Sequence, residues 1–70
     1  PPEVIDALLV KINLAIKHVR KGLNRQAVNA LEQFQHKTEL FVRKGQLLQA
    51  EGERFITAAE DIIAELSAPR

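Results

Sequence analysis

The chain has 70 residues, with 46% apolar and 27% charged positions and a formal charge of +1 from ten Lys and Arg against nine Asp and Glu. That length admits one small domain, and the balance is that of a folding chain, not a disordered one. No Cys is present, which excludes disulfide frameworks, thiolate zinc sites and cysteine nucleophiles, and three Phe without Trp or Tyr give no aromatic platform for bases or sugars.

The near-neutral charge argues against avid binding to nucleic acid or membranes. The longest uninterrupted apolar run, Ala7-Leu8-Leu9-Val10, falls far short of the roughly 18 residues that span a bilayer. No signal-peptide pattern opens the chain. The start at Pro1-Pro2 and the absence of Met predict a piece of a longer protein. Lack of Cys fits the cytoplasm and bacterial secreted proteins equally well. A chain this short buries only about 60% of its unfolded surface, so stability has to come from close helix packing.

The first predicted helix covers about residues 2–21. Ile5, Leu8, Leu9, Ile12, Ala15, Ile16 and Val19 recur at helical spacing, and Val4, Val10 and Leu14 widen the apolar surface beyond that stripe. Glu3 and Asp6 suit the positive end of the helix dipole and Lys17, Arg20 and Lys21 the negative end, with Gly22 as a left-handed stop. Asn24 is the expected N-cap of a second helix over about residues 25–44. Its stripe is Ala27, Leu31, Phe34, Thr38 and Phe41, flanked by Val28, Ala30 and Val42, and Gly45 ends it. Leu47 is expected to tuck under the bundle. The third helix, about residues 49–66, carries Gly52, Phe55, Ile56, Ala59, Ile62, Ile63 and Leu66 and lacks a conventional N-cap. Short connections make neighbours antiparallel. The expected fold is therefore all-α, an up-down-up three-helix bundle forming one domain over residues 1–70.

Charge segregates along the chain. The first two helices each carry four basic and two acidic residues, whereas the third sets Arg54 against Glu51, Glu53, Glu60, Asp61 and Glu65. The simplest reading is a solvated, mutually complementary set of helix faces; the sharper one is a bipolar surface that docks a partner. The cluster Lys17, Arg20, Lys21 and Arg25 is the candidate basic patch for phosphates, an anionic membrane or an acidic cell-surface polymer. Lys and Arg at a helix C-terminus are nonetheless expected from the dipole alone, and with no stacking aromatic nearby nucleic acid is disfavoured.

Little else in the chain carries chemistry. Glu32 and His36 are one turn apart, but two ligands are too few for a metal site, and both histidines are expected to be surface polar residues. The pairs Glu60-Asp61 and Glu51/Glu53 do not converge on one atom, because adjacent helical residues diverge by about 100°. Thr38 and Thr57 sit in no nucleophile motif, and the glycines are too far apart to cradle phosphate. No catalytic residue, metal ligand or cofactor site is expected. Gly52 on an apolar stripe costs roughly 1 kcal/mol of helix propensity, which predicts a packing reason for it.

Residues 31–66 carry Leu31-x-x-Phe34, Phe41-Val42, Gly45-Gln46-Leu47, Gly52-x-x-Phe55-Ile56, Ala59, Ile62-Ile63 and Leu66. This pattern resembles the FIMAH domain, a small helical module of bacterial secreted and surface proteins, and Lys21-Gly22-Leu23 with Ala27 extends the likeness to nearly the whole chain. The chain departs from the usual form at Gln35, Thr38 and Leu48. The resemblance implies a non-catalytic accessory module of an extracellular or surface multidomain protein, acting in attachment, spacing or contact with a protein partner or with its own parent domains, and it transfers no catalytic residue. The expected interaction surface is Val10, Leu14, Lys17, Arg20, Lys21 and Arg25, since the first helix is apolar beyond its core stripe. The alternative is an intracellular regulatory or nucleic-acid-binding bundle that uses the basic cluster.

Overall fold

A computed structural model describes residues 2–69. Three helices form, α1 (Pro2–Arg20), α2 (Asn24–Arg43) and α3 (Gln49–Ser67), in the expected up-down-up order. Pro2 opens α1, where its missing N–H costs nothing, and Glu3 sits at the positive end of the dipole.

Both connections follow from glycine. Gly22 and Gly45 take φ values of 74° and 73°. After α1, the Gly22 N–H donates to Val19 O (3.0 Å) and the Leu23 N–H to His18 O (2.9 Å). After α2, the Gly45 N–H donates to Val42 O (3.0 Å) and the Gln46 N–H to Phe41 O (2.9 Å). These paired bonds satisfy the last carbonyls of each helix and require a left-handed residue at the turn.

The helix starts are weaker. Asn24, expected as an N-cap, lies inside α2; Leu23 holds the cap position, with no side-chain hydrogen bond. The Gly22 stop places Leu23 at the start of the next helix, so an apolar residue takes the place of an oxygen acceptor. Leu48 likewise caps α3 without a side-chain bond, as the absence of a Ser, Thr or Asp there predicts.

Packing is centred on α2. It buries Ala27, Ala30, Leu31, Phe34 and Thr38, as many as α1 (Val4, Leu8, Ala15) and α3 (Gly52, Ala59) together. Helix α2 packs against both α1 and α3, whereas no Cα of α1 lies within 8 Å of a Cα of α3 among the described residues. The result is a slab of 39 × 19 × 12 Å with α2 as its spine. Towards one end, Val4, Leu8, Phe34 and Ala59 cluster with Phe41, Leu47 and Phe55 beside them; Leu47 is half-buried, as expected. Towards the other, Ala15, Ala30 and Leu31 cluster with Ile63 and Leu66, and Ile12 touches both groups.

The helix α1 stripe is a correction. Of its seven expected core residues only Leu8 and Ala15 are buried; Val4 takes a core place, and Ile5, Leu9, Ile16 and Val19 are exposed. A helix held from one side buries one narrow line of residues, and the line facing α2 is Val4-Leu8-Ala15. His18 is half-buried and not a surface residue: its Nδ1 is sealed from solvent without a hydrogen-bond partner.

Two polar or small residues make the α2–α3 contact close. Thr38 is fully buried, and its hydroxyl donates to Phe34 O at 2.8 Å, so the one polar break in the α2 stripe is satisfied within its own helix. A Cβ on Gly52 would stand 2.5 Å from Val42 Cγ2 and 3.6 Å from Thr38 Cγ2. Beside them, Gln35 Nε2 donates to Ile56 O at 3.1 Å.

Gly52→Ala gains about 1 kcal/mol of helix propensity but meets a stiff β-branched side chain, and overpacking costs about 1–3 kcal/mol. Urea unfolding is expected to show a net loss in the parent and a smaller loss, or a gain, in a Val42→Ala background. Thr38→Val keeps the shape and removes a hydroxyl whose acceptor retains its helix bond, so it is expected to fall within about 1 kcal/mol of the parent.

Candidate interaction groove

The gap between α1 and α3 is the principal apolar feature of the surface. Ile5, Leu8, Leu9 and Ile12 form one wall, Phe34 of α2 the floor and Phe55 of α3 the other wall of a cleft of about 250 Å³. The Phe34 and Phe55 rings meet with centroids 6.2 Å apart at 51°, an edge-tilted contact that fixes the floor against the far wall. Every lining side chain is hydrocarbon.

The apolar surface continues past the cleft. On α1, Ile5, Leu9, Ile16 and Val19 are 46, 48, 44 and 42% exposed, and with Ile12 they repeat at steps of four, three, four and three. That is a seam of period 3.5, the spacing by which one helix packs along another. On α3, Ile62 is 46% exposed and shares a helical face with Phe55, two turns before it, and half-buried Leu66, one turn after it. A close-packed monomer of 7.9 kDa is expected to expose about 4,400 Å², and this chain exposes 5,074 Å².

Both rims are charged. By helical geometry, Asp6, Lys17 and Arg20 border the outer edge of the α1 seam, within roughly 60–120° of its centre, and Arg54, Asp61 and Glu65 border that of α3. All six are exposed. The side-chain hydrogen bonds between helices, Lys11 Nζ to Gln33 Oε1 (2.8 Å) and Gln35 Nε2 to Ile56 O, end on neutral acceptors, so these bonds do not engage the acidic residues of α3.

The sequence-predicted surface divides over several faces. Val10, Leu14 and Lys21 share the flank of α1 that points away from the groove, Lys17 and Arg20 stand on its rim, and Arg25 lies in the first turn of α2; all are exposed. Sequence reasoning assigned Ile5, Leu9, Ile16 and Val19 to the core. The available signal was quantity: α1 carries more apolar residues than contact with one neighbour can bury.

The remaining depressions have charged or polar side chains in their lining. Exposed Glu32 and His36 border a broad hollow along the α1–α2 seam with Lys11, Asn29, Gln33, Lys37 and half-buried Leu40. Among the described residues no three His, Cys, Asp or Glu side chains come together to hold a metal ion, and no helix is long and apolar enough to cross a membrane. No family model, curated protein or solved structure matches the chain significantly.

The division between core and groove wall has a direct consequence. Leu8→Ala is expected to cost about 2–5 kcal/mol, a large part of the stability of a domain this size. Leu9→Gln and Ile16→Gln, each next to a buried residue (Leu8 and Ala15) on the same helix, are expected to change thermal stability by less than about 1 kcal/mol, read by circular dichroism.

Proposed function

We propose that the chain is a non-catalytic helical association module, using the open α1–α3 groove as its contact surface, in a secreted or surface bacterial multidomain protein. One observation carries the reading: three helices of ordinary length pack on only two of their three possible seams, and the third seam is left lined with Ile, Leu, Val and Phe. Exposed apolar residues scattered singly are normal, whereas a continuous stripe framed by charges is the surface of an interaction site.

The resemblance of residues 31–66 to the FIMAH domain supports the accessory role and the extracellular setting. The residues that carry that resemblance, Phe34, Phe55, Ile62 and Leu66, are also those that build the floor and far wall of the groove or extend it along α3. The chemistry of the groove supports a binding role over an enzymatic one: its walls offer no acid, base or nucleophile, and general acid–base work needs such a group within hydrogen-bond reach of the substrate.

An apolar reporter dye such as anilinonaphthalene sulfonate tests this. At a concentration where sedimentation shows the chain to be monomeric, the dye is expected to brighten with the parent and to lose most of that signal with Leu9→Gln plus Ile62→Gln, while helicity stays unchanged. A parent that leaves the dye dark under those conditions contradicts the reading.

A further inference from the structure

The area, the charge of the two rims and the alignment of α1 with α3 together specify an occupant. We propose that the groove is closed by a second copy of this chain, related by a two-fold axis running along the groove, so that α1 of each copy lies over α3 of the other. The inference rests on the association reading and names its partner.

Area is the first argument. The chain exposes about 600–700 Å² more than a close-packed monomer of its mass, and a standard interface takes about 800 Å² from each partner. Closing one groove on another removes the surplus from both copies at once. Four helices, two α1 and two α3, then surround a shared apolar axis with each α2 outside. The period-3.5 seam on α1 is the pattern such packing requires.

Charge favours self-association. The two outer helices run in the same direction and are level with each other: Leu8 and Phe55 share one end of the slab, Ile12 and Ile63 lie further along. A two-fold along the groove keeps these heights, so each residue of α1 meets the α3 residue at its own level in the other copy. Asp6 then faces the level of Arg54, and Lys17 and Arg20 face the levels of Asp61 and Glu65. The basic end of α1 matches the acidic end of α3 in sign, while at the other end Asp6 meets both Arg54 and Glu51. A two-fold across the groove would instead stack α3 on α3 and α1 on α1 head to tail, setting Arg54 against Asp61 and Glu65 and Asp6 against Lys17 and Arg20, so the mixed charge-reversal variants separate the two arrangements. The surface is self-complementary, as a contact between two identical patches requires.

Sedimentation equilibrium across about 1–500 µM tests the dimer, and charge reversal tests its geometry. The parent is expected to move from 7.9 kDa toward twice that mass as concentration rises. Lys17→Glu with Arg20→Glu, and separately Asp61→Lys with Glu65→Lys, are each expected to weaken self-association about tenfold or more, because each brings like charges together at both contacts. All four residues are exposed, and circular dichroism checks that each variant keeps its helices. Mixing the two variants in equal amounts is expected to restore a dimer that neither forms alone. A parent that stays monomeric throughout overturns the proposal; if it still brightens the dye, the association reading stands with another occupant, and if it does not, both fall. Self-association that the mixture fails to rescue overturns the two-fold along the groove.

Discussion

The structure depends on the burial of α2 from two sides. Ala27, Ala30 and Leu31, then Phe34, then Thr38, give this helix an apolar surface broad enough for two neighbours, and small residues where a neighbour comes close. Helix α1 leans on it through Val4, Leu8 and Ala15. Helix α3 reaches it through Gly52 and Ala59, where the lack of a side chain at Gly52 leaves room for Val42. The outer helices meet each other through side chains gathered over α2, so both owe their place in the fold chiefly to that shared face.

The groove is a consequence of that arrangement and not a separate device. A third seam between α1 and α3 would bury Leu9, Ile16, Val19 and Ile62; without it they remain a stripe open to water. At roughly 25 cal/mol per Å² of apolar surface, leaving such a stripe uncovered forgoes a stabilisation comparable to the marginal stability of a domain this small. A surface with that much to gain from coverage is suited to association. It is poorly suited to catalysis, because hydrocarbon walls hold no proton to move and no charge to stabilise a transition state.

Much of the architecture was legible in the residues. Gly22 and Gly45 announce the ends of α1 and α2, and the left-handed turns there follow from them. The α2 stripe was read correctly, since that helix is contacted on both sides and nearly all of its apolar positions are used. Helix α1 shows where periodicity stops being informative. Val4-Leu8-Ala15 and Ile5-Leu9-Ile12-Ile16-Val19 are both helical lines, and choosing which one meets α2 requires knowing how many neighbours the helix has. Asn24 was misplaced by a single residue for a related reason: a left-handed glycine stop followed at once by the next helix leaves the cap to whatever comes between, here Leu23. The groove was visible only as a surplus of apolar residues on α1, and its location came from the tertiary contacts.

Native-state hydrogen exchange resolved by residue tests the shared-face account most directly, at a concentration where the chain is monomeric. The slowest amides are expected in α2, at Ala30, Leu31, Phe34 and Thr38, opening only with global unfolding, while α1 and α3 exchange through smaller openings that release one outer helix at a time. Protection in α1 or α3 equal to that of α2 would mean that the outer helices support each other, and would contradict the open-sided slab.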